Sequence, residues 1–377
     1  MAIDYVEIRS EETTDLLGIV DTAKSIIWHS VYFGVGDFEI YVKATPDTVA
    51  LLKEDRLVTR PDDLEVGVIE AIAIADDPQN GAMVTARGRF AKCLLERRHI
   101  YKLAGTVNTP TILRGNVEAE VRRVVYENAI DCPFDSKRNI PLLALGQLSD
   151  IPLKIVDENG YAAQKQVSYE NLLTYTDEVL QEYGMGATVI LDADAKKLLY
   201  VVYAGADRSA DNAAGNVPII FSKEFDNLSS SSYQYDGTME KNVALIGGAG
   251  EGLARFFSLL AGSQAGLQRR ETFVNASSIA NTYEDENGEE QTYSEDEYRA
   301  MLNAQGKQTL QASQAVEAFN GAIDVSSSQW QYNRDFALGD IVTQQDNSLG
   351  VFVNVRVLDL LEVQDENGYA IEANNQT

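Results

Sequence analysis

The chain holds few residues that could do chemistry, and the most suggestive of them lie in VALIGGAGEGLARF, residues 243–256. An apolar strand followed by clustered glycines is how a dinucleotide-binding turn begins. That turn needs G-x-G-x-x-G: one glycine for the tight bend, one for close approach of pyrophosphate, and one for packing helix on strand. Gly248 and Gly250 have the right spacing, but Leu253 fills the third position and Gly252 falls one residue early. The competing reading is a glycine-rich hairpin, in which glycine supplies positive φ. Where a ribose-binding acid would stand, about 20 residues further on, the sequence has Arg269 and Arg270 beside Glu271. The stretch lies in a β-rich half without βαβ alternation, so the hairpin is expected and no cofactor is assigned.

Other chemistries are short of residues. There are two cysteines, Cys93 and Cys132, and two histidines, His29 and His99. A mixed zinc site would consume all four, and neither C-x-x-C nor H-x-x-x-H spacing occurs. A Ser or Cys nucleophile would need one of the histidines as base. His29 follows Trp28 in a strand-like run and His99 follows Arg97 and Arg98, which makes each an ordinary strand or surface residue. The tetrapeptide DENG recurs at 157–160, 285–288 and 365–368. A calcium loop of the EF-hand type would demand Asp where the chain has Ile155, Tyr283 and Val363. Hairpin tips are expected there, and also around Asp192 and Asp194. No catalytic, cofactor-binding or metal-ligating residue is therefore assigned.

The elements that surround these residues are mostly strands. With 377 residues the chain is long enough for two or three cores. Its formal net charge of −27 argues against wrapping nucleic acid, which needs clustered cations, yet allows DNA to pass without adhering. No signal-peptide pattern and no membrane-length apolar run is present. DFEIYV (37–42) alternates as a half-buried strand; Thr45 and Pro46 open a short helix; Asn80-Gly81 marks a hairpin between 66–75 and 82–90. Helical spacing covers 116–130 and 168–184, the second capped by Ser168, striped by Leu172, Leu173, Val179 and Leu180, and ended by Gly184. Residues 229–232, SSSS, read as a loop. The box Ser294-x-x-Glu297 starts a helix extending toward Phe319, with a break at Gly306, and strands follow at 338–345 and 350–364.

Several patterns in series then line up with one family. SIIWHSVYFGVGDFEIYVKATPDTVALLKEDRLV, VGVIEAIAI, GADRS (205–209), FSKEFDNL (221–228), EKNVALIGGAGEG (240–252), RRETFVNAS (269–277) and LGDIVT (338–343) resemble the ReqiPepy-type siphovirus tail-hub family. The resemblance implies an α+β, β-rich fold of two tube-like β-barrel domains, with an α+β insertion and a helical excursion. The corresponding division is 1–115 for the first barrel, 116–204 for the insertion, and 205–377 for the second barrel with its excursion at about 291–322.

The same resemblance implies a non-enzymatic hub of the distal tail or baseplate, similar to the central hub of contractile-phage baseplates. It would be made in the bacterial cytoplasm and carried in the virion tail. Three copies would form a ring joining the tail tube to the tip and passing DNA or tape-measure protein, with tube or distal tail proteins and spike or fibre proteins as partners. Two alternatives stand beside it. One is a host-surface module binding glycan or protein through SSSSYQYDG (229–237); the other is a nucleotide-binding enzyme using 243–256.

Overall fold

The computed structural model describes residues 3–104, 107–156, 162–284, 289–323, 329–348 and 350–376. The first strands are β1 (Val6–Arg9), β2 (Leu16–Val20), β3 (Ala23–Val31) and β4 (Asp37–Lys43). β5 (Leu57–Thr59), β6 (Val66–Asp77) and β7 (Gly81–Phe90) follow. The alternation read in DFEIYV is what the structure buries: Phe38, Ile40 and Val42 face a core with Trp28 and Phe90. Phe38 fits because a Cβ on Gly67 would stand 2.4 Å from its ring and one on Gly88 would stand 3.0 Å from it. Helix α1 (Pro46–Leu51) starts at Thr45, whose Oγ1 accepts from Thr48 N at 3.1 Å while Thr48 Oγ1 accepts from Thr45 N at 2.9 Å. The β6–β7 turn closes between Asp77 and Gly81, with Gly81 at φ +76°.

The two ends of the chain meet in one sheet. Val351–Asp365 pairs antiparallel with β3, from Asp359 opposite Val31 to Gln364 opposite Ile26. The resulting 14-stranded sheet runs Leu228–Asp236, Val316–Ile323, Gly368–Gln376, Val351–Asp365, β3, β4, β7, β6, β5, β1, β2. Ile341–Asp346 joins it beside Val351–Asp365 and carries Asp207–Arg208 and Ile220–Ser222. The fold is thus β-rich α+β. Among the described residues no ladder links the outer strands of this path into a closed barrel. A second apolar cluster, around Tyr32, Phe221, Phe336, Val355 and Leu360, lies beside the first, and Tyr369 packs against both.

Helix α2 (Val117–Val125) is capped by Asn116 and continues as one wider turn, Tyr126–Ile130. Helix α3 (Leu172–Glu182) buries Leu172, Leu173, Val179 and Leu180 as the spacing required, and Gly184 follows at φ +66°. Its cap is Asn171, not Ser168: Asn171 Oδ1 accepts from Leu173 N and Thr174 N, whereas Tyr169 stands in the left-handed region at φ 68° and keeps the preceding chain out of the helix. Gly186–Asp192 and Lys197–Tyr203 form the hairpin expected around Asp192.

The chain divides into two compact units. One comprises Met1–Lys154, Lys165–Tyr233 and Ala318–Thr377; the other comprises Ile155–Gln164 and Gln234–Glu317. In the smaller unit Val243–Gly247 pairs with Phe257–Ala261 and with Glu271–Asn275, and α4 (Glu295–Ala312) covers one face. Ser294 and Glu297 form the expected capping box. The helix runs through Gly306 without a break, because the missing side chain lets Ile246 pack there, a Cβ lying 2.7 Å from Ile246 Cδ1. It stops at Ala312, short of Phe319, and Val316–Ile323 is a strand. Ser229–Ser232, expected as a loop, lie in the strand Leu228–Asp236, where ladder pairing overrides weak local preference. Of the DENG copies, 365–368 forms a hairpin tip with Gly368 at φ +116°, while 157–160 and 285–288 lie outside the described residues.

Candidate functional site

The glycine cluster is a hairpin. Val243–Gly247 turns back antiparallel into Phe257–Ala261, and only the three-residue turn Gly252–Ala254 stands where a phosphate-binding helix would start. The amides are spent internally: Gly248 N donates to Phe256 O at 2.9 Å and Ala249 N to Tyr298 Oη at 2.7 Å. Arg255 folds back across the hairpin, donating to Gly248 O at 3.1 Å and Gly247 O at 2.9 Å, with its guanidinium over the exposed rings of Phe257 and Phe273. Gly250 is at φ +94°, and a Cβ there would lie 2.4 Å from Ala254 O. Turn geometry accounts for the glycines, and no helix N-terminus is aimed at an anion.

The histidines and cysteines stay apart. His29 Nδ1 lies 3.5 Å from Asp37 and Nε2 3.9 Å from Asp359, and the nearby Asp359 carboxylate chiefly holds its pKa above the ordinary value. His99 Nδ1 lies 3.0 Å from Tyr169 O. Cys93 is buried and its thiol is pushed up to about 12, and Cys132 is buried with Arg138 Nη1 3.4 Å from Sγ. Among the described residues no group of three His, Cys, Asp or Glu side chains is arranged to hold a metal ion.

Several buried, perturbed ionisable groups in the larger unit form a cluster that sequence reasoning passed over. Arg60, 3% exposed at its side chain, donates Nη1 to Glu362 Oε1 at 2.9 Å and Nη2 to Asp62 Oδ2 at 2.8 Å. Its guanidinium also lies 5.3 Å from the Trp28 ring. Trp28 Nε1 donates to Asp63 at 3.1 Å, Tyr369 Oη donates to Glu362, and Thr188 Oγ1 donates to Glu65 at 2.8 Å. Burial alone would lower the Arg60 pKa, but its bonds to Asp62 and Glu362 outweigh that and raise it. Burial, followed by the charge of Asp63, lifts Glu65 to about 8, and desolvation also raises Asp63. The adjoining cavity, lined by Arg60, Trp330, Tyr332, Glu362 and Tyr369, is about 40 Å³. That suits water rather than a substrate. The cluster is a joint: it ties the β5–β6 connection to Val351–Asp365 across 302 positions of sequence. RPDD (60–63) reads locally as a solvated turn, and nothing nearby announces Glu362.

With this geometry in place, the comparisons are direct. The sequence profile of the siphovirus ReqiPepy6 Gp37-like protein family matches residues 5–374. The chain belongs to that family. No curated protein matches it in sequence. Three solved structures share the fold across nearly their whole lengths. The tail protein from Neisseria meningitidis MC58 is 14% identical over 99% of this chain and 96% of its own, with a TM-score of 0.57. The prophage MuSo2 43 kDa tail protein from Shewanella oneidensis is 11% identical over 98% and 97%, at 0.59. The prophage tail protein gp18 from Listeria monocytogenes is 12% identical over 99% and 94%, at 0.52. By family the chain is a siphovirus ReqiPepy6 Gp37-like protein, and its fold is shared with these three tail proteins.

Proposed function

We propose that this chain is a structural, non-enzymatic hub of the distal tail, joining the tail tube to the tip as a trimeric ring through which DNA or tape-measure protein passes. The observation that carries the reading is the family match over residues 5–374, taken with the fold shared with three phage tail proteins. Residues 1–115 and 205–377 then act as the two tube-like barrel halves, with 116–204 as the insertion. Three chains present six halves, which suits a joint between six-fold tube and three-fold tip. The charge of −27 per chain supports passage, because a negative wall repels the phosphate backbone. Antibody labelling of intact particles tests the reading. Gold at the distal end of the tail, together with a trimer by native mass spectrometry of the purified tip, is expected; label along the tube or at the head would overturn it.

A further inference from the structure

The larger unit contains a cleft of about 490 Å³ whose composition is amphipathic. Its apolar lining is Leu57, Val68, Leu94, Ile140, Leu142 and Leu198. These come from β5, β6, the turn Ala91–Arg97, the segment before Leu143–Leu145, and the strand Lys197–Tyr203. The charged lining is Glu11, Glu12, Asp55 and Arg97. Arg97 pairs with Asp55 at 3.1 Å and Arg56 with Glu11 at 3.2 Å. Among the described residues no cation pairs with Glu12, so the cleft keeps an uncompensated negative charge beside its apolar wall.

The acidic edge is preorganised. The turn bearing Glu11 and Glu12 is closed by Ser10 N to Asp15 O and Thr14 N to Ser10 O, both 2.9 Å. Ser10 Oγ accepts from Glu12 N and Thr13 N, and Arg9 Nη1 holds Thr14 O at 3.2 Å. Thr14 is buried at φ 60°, a conformation a β-branched residue adopts only when its surroundings impose it. The volume falls in the range of ligand-binding sites, and the wall would bury one or two large apolar side chains.

We propose that this cleft docks an apolar peptide segment bearing Lys or Arg, contributed by a different protein. Charge complementarity selects the occupant: apolar anchors fill the wall and a cation meets Glu12. A second copy of this chain, at −27, is repelled from an acidic edge.

Short random peptides selected on the full chain, then measured singly by isothermal titration, test this. Two variants accompany it: Glu12→Lys, an exposed change, and Leu142→Trp, which fills the cleft; melting curves confirm that both fold. Recovered peptides should combine Lys or Arg with Leu, Ile or Phe. Glu12→Lys should weaken them about tenfold at low salt and less at high salt, and Leu142→Trp should abolish binding. Acidic or wholly polar peptides, or binding indifferent to both variants, would overturn the proposal. So would a failure to recover peptides, hexylammonium binding as tightly as the peptides, or a concentration-dependent dimer lost in Leu142→Trp.

Discussion

Replacing Glu65 with Gln should change how stability depends on pH. The carboxyl is buried, accepts from Thr188 Oγ1 at 2.8 Å, and is lifted from 4.5 to about 8, first by burial and then by the charge of Asp63. Between those two values the unfolded chain releases a proton that the folded chain keeps. Stability from this group is therefore full below about 4.5 and is lost as pH rises through about 8. Each pH unit inside the window removes at most about 1.4 kcal/mol. The whole window comes to at most roughly 5 kcal/mol, part of it shared with Asp63, whose shift has the same sign. Gln keeps an acceptor for Thr188 and does not titrate. Urea unfolding followed by tryptophan fluorescence, with Trp28 reporting on the cluster, should give matching stabilities near pH 4.5. At pH 8 and above the variant should be more stable by roughly 3 kcal/mol. A wild-type minus variant difference that stays flat, or that grows in favour of the wild type with rising pH, would mean Glu65 is ionised in the folded chain, and the reasoning would fail.

Arg60→Met should destabilise the larger unit by about 3–5 kcal/mol, because Glu362 is left buried and unpaired, and the double variant with Glu362→Leu should recover much of that loss in the same urea assay. Leu173→Asp places a charge in the buried stripe of α3 and should cost several kcal/mol; an unchanged melting temperature would contradict that packing. Titration with NAD, NADP, ATP and FAD should give no heat, and micromolar binding of any of them would overturn the hairpin reading of 243–256. Three copies carry −81, three times −27, so sedimentation at tens of micromolar protein should show trimers strengthening with added salt, and dissociation on adding salt would count against apolar ring contacts.

Local signals were legible wherever a few neighbouring residues decide the outcome. Thr45 with Pro46, Asn80-Gly81, and Ser294 with Glu297 each specify their own cap or turn, and each forms. Errors appear where the deciding partner is distant or equivalent choices compete. Ser168 and Asn171 are both good caps, and the left-handed Tyr169 between them settles the choice. Serines 229–232 have weak strand preference, yet a neighbouring strand recruits them. The Arg60–Glu362 pair and the six-segment cleft have no sequence signature, since each exists only after the chain has folded.

The pairing of β3 with Val351–Asp365 bears on how the proposed hub would assemble. Two β-rich regions, each with its own apolar cluster, are joined by main-chain hydrogen bonds from Ile26 to Val31, by Tyr369 packed against both clusters, and by Arg60 bound to Glu362. Within one chain, then, the contact between the halves is complete before any partner arrives. In the proposed ring only the contacts between chains remain to be made, three rather than six, and the loop-closure entropy of joining the halves has already been met during folding. Like-charge repulsion acts on those three contacts alone, which is why an acidic chain could stay a soluble monomer until tail neighbours or salt tip the balance.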